Sequence, residues 1–336
     1  MRLSLKSRIF ILYSLLFLIT ITVIITLLSV YMFRNITNQM QISLDVFSNN
    51  TAGQVAGEFD RMNGISSRFF FNREILNIMT GVNAAGGASQ NYFDTNFELS
   101  KVIYQNFIIV LGVDLTKTII NLFTENAFLS TYNGLADWRA ISSDAKFGIL
   151  AEAKRYLDEN PGLSLVMGPH KAYWAPPEVG SGEYYSLSRK LYDVYNDLPA
   201  GYLQILKKKE EIEKIFDSSD DTVQIYLYDN SCRIVNPPPG EGTAEAQSLL
   251  EKLKASSGSG GVYKGGLGKN YIVSLKDIEN YNYGILIMQH YHSGFFMVYF
   301  SMIAAVALIL LVIIISLNFL ISHYLTRPLG QIIKAL

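Results

Sequence analysis

Two long apolar runs, one near each end of the sequence, enclose a polar central segment. Residues 9–33 include no Asp, Glu, Lys or Arg, and residues 295–320 lie within an uncharged stretch that extends from Asn280 to Thr326. A helix of about 20 apolar residues crosses a hydrocarbon layer of about 30 Å. We therefore predict two transmembrane helices, residues 9–33 and 293–323. The first run is longer than the apolar region of a cleaved signal peptide, so a membrane anchor is the better interpretation.

The segment after the first run has the periodicity of an amphipathic helix. Its apolar positions recur every three or four residues, the spacing of one helical face: Ile36, Met40, Leu44, Phe47, Thr51, Val55, Phe59, Met62, Ile65 and Phe69. We predict a continuous helix to about Phe70, which would rise about 55 Å beyond the bilayer. This helix belongs to a stalk segment of residues 34–80. A glycine-rich stretch, residues 81–90, predicts a loop after it.

The next part of the chain predicts an α+β unit, which we place at residues 81–217. Its predicted helices are residues 92–106, 145–158 and 207–216. Its predicted strands are short segments rich in β-branched and aromatic residues: residues 107–113, 118–123, 128–132, 163–167, 184–192 and 199–206. The short breaks between several of these strands favour antiparallel pairing in one sheet with helices beside it.

A smaller unit, residues 218–292, repeats this plan. Its predicted strands are residues 223–228, 233–235, 262–264, 271–275 and 283–289, and its predicted helix is residues 243–254. Asp229, Asn230 and Ser231 predict a hairpin turn between the first two strands. The predicted fold class is therefore α+β, with two tandem antiparallel-sheet units after a long N-terminal helix and between two membrane spans.

The charged residues predict the orientation in the membrane. Residues 34–292 contain all 29 acidic residues and 23 of the 28 Lys and Arg, so their net charge is −6, although that of the whole chain is −1. Residues 1–8 contain three basic residues and no acidic one, and residues 324–336 contain Arg327 and Lys334. Since positive charge beside a span stays in the cytoplasm, we expect both termini to be cytoplasmic and residues 34–292 to be extracellular.

Composition excludes several classes of function. A net negative polar segment without a concentrated basic face argues against nucleic acid as a partner. The single cysteine, Cys232, excludes a disulfide framework and a thiolate zinc cluster. Neither a G-x-S-x-G nucleophile turn nor an H-E-x-x-H zinc helix occurs in the sequence. We therefore expect no catalytic residue, no metal site and no cofactor.

Aromatic residues are dense between Gly168 and Ile205. Aromatic walls with a few fixed polar groups are typical of small-molecule sites. The candidate ligand-binding residues, two of them in the preceding loop, are Trp138, Arg139, His170, Tyr173, Trp174, Tyr184, Tyr185, Arg189 and Asp193. Arg189 is preferred to Lys190 because a guanidinium donates forked hydrogen bonds. Two other interpretations stay open: the rings fill the sheet core, or Arg189 and Asp193 pair with each other at the surface.

Two tandem sheet units on a long helix, with a last strand that enters a second span, resemble the double Cache ectodomains of bacterial receptors. The segments 166–170 (VMGPH), 184–191 (YYSLSRKL) and 201–206, followed by a charged helix, are similar to YesM-like sensor histidine kinases of Gram-positive bacteria. Residues 324–329 (YLTRPL) resemble the start of a HAMP helix. The resemblance implies a homodimeric sensor in a bacterial plasma membrane, with the lipid bilayer and an extracellular small molecule as partners.

The sequence ends at Leu336 within an apolar helical pattern. The phosphoacceptor histidine and ATP-binding domain of a histidine kinase would lie beyond it, so we expect this chain to be the sensing and transmembrane part of a longer protein. A response regulator would be a partner only through that further domain. A chemoreceptor, a Cache-fused transcription regulator and a membrane-tethered binding protein are the alternatives. The arginine and Trp-Tyr signature of amino-acid-binding double Cache domains is not evident, and a sugar or a transported solute fits equally.

Overall fold

The structure is a computed structural model. It describes residues 5–85, 91–112, 117–124, 127–132, 148–171, 182–193, 196, 198–217, 220–237, 243–256, 258, 260–264, 270–291, 301–317 and 319–320.

The first helix, α1, extends from Leu5 to Phe70 and comprises 66 residues. It contains both the first apolar run and the predicted amphipathic segment. Among the described residues it is the one helix that is long and apolar enough to cross a membrane. Ser301–Leu317 forms a shorter apolar helix, and a span requires about 20 residues. The second transmembrane helix therefore stays a prediction.

Helix α1 ends where an asparagine begins the next helix. The side chain of Asn72 accepts a hydrogen bond from the backbone N–H of Ile75 at 3.2 Å, and caps α2, Arg73–Ala84. Such a cap satisfies a backbone donor that has no partner within its own helix. The predicted continuous helix to about Phe70 is confirmed. The rest of the stalk segment, up to residue 80, belongs to α2, after a break at residues 71–72.

A short helix α3, Tyr92–Thr95, precedes helix α4, Phe97–Leu111. The strand predicted at residues 107–113 is wrong, since residues 107–111 are the last turn and a half of α4. The β-branched and apolar run favoured a strand, but the buried positions of α4 continue the helical spacing of three and four: Ser100, Ile103, Phe107 and Leu111. Burial of this face outweighs local β-propensity. Gly112, with φ of 54°, ends the helix in a conformation that favours glycine.

The first antiparallel sheet contains strands β1 to β5. These are β1 (Thr118–Phe123), β2 (Phe128–Ser130), β3 (Ser164–Lys171), β4 (Glu183–Asp193) and β5 (Leu198–Lys208), with helix α5 (Gly148–Glu159) between β2 and β3. Their order across the sheet is β2-β1-β5-β4-β3. Helix α6 follows as only Lys209–Glu213, shorter than the predicted charged helix at 207–216.

One face of the first sheet packs against helices α1 and α2. The Arg189 guanidinium of β4 donates to Asn63 of α1, and Asn83 of α2 donates to the Pro199 carbonyl of β5. Leu187 and Leu203, which share this face with Arg189, are fully buried. The apolar side of the sheet is therefore the side that the N-terminal helices cover.

A glycine permits an irregularity where β4 pairs with β5. The register shifts between Leu191 and Tyr192, opposite Gly201. Gly201 has φ of 127°, and a Cβ at this position would lie 2.7 Å from the backbone oxygen of Phe123. A side chain is excluded here by both the backbone conformation and the close approach of β1.

The second antiparallel sheet has the order β7-β6-β10-β9-β8. Its strands are β6 (Val223–Asp229), β7 (Ile234–Asn236), β8 (Gly260–Lys264), β9 (Asn270–Ile278) and β10 (Tyr283–His290), and helix α7 (Ala244–Ala255) connects β7 to β8. The predicted α+β class, with two antiparallel sheets after a long N-terminal helix, is confirmed.

Two compact units divide the chain. One comprises residues 45–260 and 274–288, and the other comprises residues 1–44, 261–273 and 289–336.

In the unit of residues 45–260 and 274–288, Phe59 of α1 is the centre of an aromatic cluster. Its fully buried ring lies 6.2 Å from that of Tyr185 on β4, 5.3 Å from that of Tyr281 and 5.9 Å from that of Tyr283 on β10. These centroid distances are typical of favourable aromatic pairs. Both sheets therefore contact the same residue of α1.

In the other unit, hydrogen bonds connect α1 with β9. The amide of Gln41 on α1 donates to the Val273 carbonyl on β9 at 3.1 Å. The backbone N–H of Tyr291 donates to the Asn270 carbonyl at 3.2 Å, beside the contact between the rings of Tyr271 and His290. In this unit, hydrogen bonds thus connect α1 to β9 and the first residue of β9 to the residue after β10.

We predict that Phe59→Ala lowers the free energy of unfolding by about 3–5 kcal/mol, since it removes a fully buried ring and leaves a cavity among three others. Denaturant-induced unfolding of the detergent-solubilised chain measures this loss. The matched control is Phe97→Ala, because Phe97 is 72% exposed and its removal should change stability by less than about 0.5 kcal/mol. Equal effects of the two substitutions would contradict the buried position of Phe59.

Candidate functional site

Four strands of the first sheet contribute polar side chains to one row. Ser130 of β2 is paired with Asn121 of β1, Asn121 with Gln204 of β5, and Gln204 with Ser188 of β4. Directly paired residues in an antiparallel sheet lie on the same face. Since neighbouring positions of a strand alternate between faces, and Arg189 contacts α1, this row lies on the face that α1 does not cover.

Three further residues extend the row along β4. Tyr184 and Ser186 precede Ser188 at every second position of β4, so they lie on the same face. His170 of β3 is paired with Tyr184. All of these side chains are buried. We call this set the polar face: Asn121, Ser130, His170, Tyr184, Ser186, Ser188 and Gln204.

Several polar atoms of the polar face are buried without a hydrogen bond. The Asn121 amide donates to Gln204 Oε1 at 3.2 Å. Within the described part of the chain, however, Asn121 Oδ1, the hydroxyls of Ser186 and Ser188, and His170 Nε2 have no partner. Each such group costs about 1–3 kcal/mol of stability. Because native folds pair nearly all of their buried polar atoms, this cluster is the best candidate for a ligand-binding surface.

Charged groups lie at one edge of the polar face. Lys190 Nζ is 2.7 Å from Asp158 Oδ1 of α5, and the hydroxyl of Tyr202 donates to the same oxygen at 2.6 Å. The ring of Tyr202 stacks on that of Phe123, with centroids 5.4 Å apart. The ion pair at this edge already satisfies both of its charges, whereas the polar face itself presents neutral hydroxyl, amide and imidazole groups.

His170 is held as a neutral imidazole. Its Nδ1 lies 2.9 Å from the carbonyl oxygen of Gly168, so Nδ1–H is the donor and Nε2 is an acceptor. Burial lowers the pKa of His170 below its ordinary value of 6.5, although the hydrogen bond to Gly168 and the charge of Glu183 oppose this shift. The site therefore offers an acceptor nitrogen at neutral pH.

Two predicted site residues lie on the opposite face of β4. Tyr185 is fully buried against Phe59 of α1, and burial raises the pKa of its hydroxyl. The guanidinium of Arg189 contacts Asn63 of α1. The structure therefore brings His170 and Tyr184 to the polar face but directs Tyr185 and Arg189 toward the helix.

Asp193 lies beyond the register shift of β4. It accepts hydrogen bonds from the backbone N–H of Asn196 at 3.3 Å and from its side-chain amide at 2.5 Å. This contact connects Asn196 to the last residue of β4. The remaining predicted site residues, Trp138, Arg139, Tyr173 and Trp174, lie outside the described residues.

Five residues of the polar face were not predicted from the sequence: Asn121, Ser130, Ser186, Ser188 and Gln204. Each is a small or medium-sized polar residue that directly follows an apolar or aromatic residue in its strand. Strands that are buried on both faces contain few polar residues. The alternation of serine with leucine at residues 186–188 was therefore the signal in the sequence that could have indicated a polar face. Only the register, however, shows that these isolated residues form one row.

No protein-family model matches this sequence. No curated protein sequence matches it. Solved structures with a similar fold include the ligand-binding domain of the Pseudomonas fluorescens chemoreceptor CtaA in complex with L-isoleucine, at 12% identity and a TM-score of 0.49, covering 79% of this chain and 98% of that one. The sensor domain of the V. cholerae histidine kinase DctB has 12% identity and a TM-score of 0.47, covering 78% and 99%. The periplasmic sensory domain of the Campylobacter jejuni chemoreceptor Tlp1 has 14% identity and a TM-score of 0.47, covering 76% and 96%.

At these identities and TM-scores the similarities assign neither a ligand nor an output to this chain. The architecture predicted from the sequence, two antiparallel sheets in tandem after a long N-terminal helix, is confirmed by the fold. The HAMP and YesM-like features stay predictions, and residues 324–336 lie outside the described part of the chain.

We predict that His170 makes folding stability depend on pH. Its pKa is lower in the folded state than in the unfolded state. As the pH falls below about 6.5, the unfolded state takes up a proton that the folded state does not, and stability decreases. Unfolding midpoints between pH 8 and pH 5 should fall less in His170→Gln than in the wild type. His290→Gln is the matched control, and an unchanged pH profile in His170→Gln would contradict the prediction.

Proposed function

We propose that this chain is a transmembrane sensor that binds a small polar molecule outside the cell at the polar face of the first sheet. The observation that carries this proposal is the group of buried atoms on that face without a partner among the described residues: Asn121 Oδ1, Ser186 Oγ, Ser188 Oγ and His170 Nε2. A ligand that bonds to these atoms would remove their desolvation penalty, which makes its binding favourable.

The chemistry of the polar face favours a neutral, hydroxyl-rich ligand. Asn121 Oδ1 and His170 Nε2 accept hydrogen bonds, and the two serine hydroxyls both donate and accept. Sugar hydroxyls match all four atoms. A buried ligand charge would need an opposite charge, and Lys190, two positions after Ser188 on β4, is already bonded to Asp158.

The proposed signal passes from the extracellular residues 34–292 through two membrane spans to a cytoplasmic output. The length and composition of the apolar part of α1 support the first span, and residues 295–320 support the second by composition. The resemblance of residues 184–191 to YesM-like sensors favours a histidine kinase as the output and a homodimer as the assembly. This segment would then act by binding, and catalysis would belong to a further domain.

We predict that Ser186→Ala and Ser188→Ala each weaken ligand binding about 5- to 10-fold, because each removes one hydrogen bond worth about 1–1.5 kcal/mol. A thermal-shift screen of the full chain with monosaccharides, amino acids and organic acids identifies a ligand. Titration calorimetry with the best compound then measures its affinity for each variant.

Ser66→Ala is the matched control for these variants. Ser66 is a fully buried serine of α1 whose hydroxyl also has no partner among the described residues, but it is not part of the polar face. Its substitution should leave the affinity unchanged. Unchanged affinity in both Ser186→Ala and Ser188→Ala, or the absence of any thermal shift across the panel, would contradict a site on this face.

The proposed topology predicts the cellular location of reporter fusions. A reporter fused after Leu336 should report the cytoplasm, and one inserted within residues 86–90 should report the exterior, because positive charge flanks both spans on the cytoplasmic side. Alkaline phosphatase and green fluorescent protein measure the two locations. An external signal from the Leu336 fusion would contradict a chain with two spans.

A further inference from the structure

Arg189 connects strand β4 to helix α1. Its Nη2 donates to Asn63 Oδ1 at 2.8 Å, its Nη1 donates to Ser67 Oγ at 3.3 Å, and its guanidinium lies 5.4 Å from the centre of the Phe70 ring. The residue is 8% exposed, and its Nε has no partner among the described residues. The guanidinium is therefore fixed to one side of α1 by neutral groups, and its position follows that of β4.

Tyr281, in the turn between β9 and β10, contacts the same part of α1. Its buried hydroxyl donates to Asp60 Oδ1 at 2.5 Å. Asp60 and Asn63 are three positions apart, so they are neighbours on one face of the helix. Neighbouring residues of this face consequently bond to both sheets: Asn63 to a residue of the first sheet and Asp60 to a residue beside the second.

Aromatic packing reinforces this connection. Phe59, one residue before Asp60, contacts Tyr185 of β4 as well as Tyr281 and Tyr283. A shift of β4 along α1 therefore disturbs both polar and apolar contacts of the β9–β10 turn. Close-packed contacts of this kind change between discrete arrangements instead of deforming continuously.

We propose that Arg189, Asn63, Tyr281 and Asp60 form a junction that couples strand β4 of the first sheet to the β9–β10 turn of the second. Helix α1 is the relay, because its neighbouring residues Asn63 and Asp60 bond to Arg189 and Tyr281 respectively, and Arg189 is a positioning residue of β4. This deepens and rests on the proposed function, since Ser186 and Ser188, on the polar face of the same strand, contact the ligand.

The side chains of β4 alternate between the two faces of the sheet, so one strand contacts both the proposed ligand and helix α1. Ser186 and Ser188 lie on the face opposite to that of Tyr185 and Arg189. A ligand that displaces β4 on the polar face necessarily moves the side chains that contact α1. From the β9–β10 turn, β10 leads along the sequence to the predicted second span, which begins at residue 293.

Hydrogen exchange in the ligand-free full chain, reconstituted in lipid nanodiscs, tests the junction. We expect Arg189→Gln to accelerate amide exchange in residues 279–285 at least about fivefold, the lower limit of a typical coupling between sites. Lys190→Gln is the matched control. It removes a positive charge from the adjacent residue of β4, but Lys190 bonds to Asp158 on the other face, so exchange in residues 279–285 should stay unchanged.

The reciprocal experiment starts from the other end. Coupling between two sites is symmetric at equilibrium, so Tyr281→Phe should accelerate exchange in residues 185–191 by a similar factor. Its control is Tyr228→Phe, which removes a 2.6 Å hydrogen bond between β6 and Asp277 of β9, within the second sheet, and should not affect residues 185–191. If Arg189→Gln fails to fold, the Tyr281→Phe comparison decides the question by itself.

Accelerated exchange that is confined to β4 and α1 in Arg189→Gln, or to residues 279–285 in Tyr281→Phe, would overturn the junction. The same holds if the control substitutions produce equal acceleration. These exchange experiments use the ligand-free chain. A negative result would therefore not contradict the predicted effect of Ser188→Ala on ligand affinity. A junction that passes this test would likewise stand if the polar face bound no ligand.

Discussion

The fold depends on one constraint: a single face of α1 supplies the packing surface for residues of both sheets. A sheet with an apolar face must cover that face with another layer, and the first sheet uses α1 and α2 for this purpose. The second sheet approaches the same helix through Tyr281 and Tyr283. Phe59 is fully buried because it has aromatic neighbours from both. Any change in the position of α1 therefore affects both sheets.

The two faces of the first sheet serve opposite requirements. On the helix side, Leu187 and Leu203 are fully buried, and burying apolar surface stabilises the fold by about 25 cal/mol per Å². On the other side, the strands bury serine, asparagine and glutamine, and several of these polar atoms have no partner among the described residues. Such burial lowers stability. Functional sites are the usual places where a fold departs from its most stable composition.

Local patterns predicted most of the secondary structure but little of the site. The strands predicted at residues 184–192 and 199–206 are β4 and β5 to within two residues, because alternation and β-branching are properties of a short segment. Residues 107–111 were predicted incorrectly, since their helical conformation depends on a face buried by the rest of the fold. The polar face depends on the register of five strands, and a single sequence does not specify register between distant segments.

The hydrogen-bond energies available at the polar face limit the kind of ligand that produces a signal. Shifting an equilibrium from 1:99 to 99:1 requires about 5.5 kcal/mol of preference for one state, and four hydrogen bonds of about 0.5–1.5 kcal/mol each provide about 2–6 kcal/mol. A ligand must therefore form nearly all of these bonds in one arrangement and few in the other.

Bonds to β4 alone do not meet this condition, because they move with the strand. Asn121 belongs to β1, which is separated from β4 by β5, so a ligand that bridges Asn121 and Ser188 is sensitive to displacement of β4 relative to the rest of the sheet. The same displacement moves Arg189 along α1. Size and the spacing of hydroxyl groups, more than total affinity, are consequently the ligand properties that determine whether binding changes the conformation of the chain.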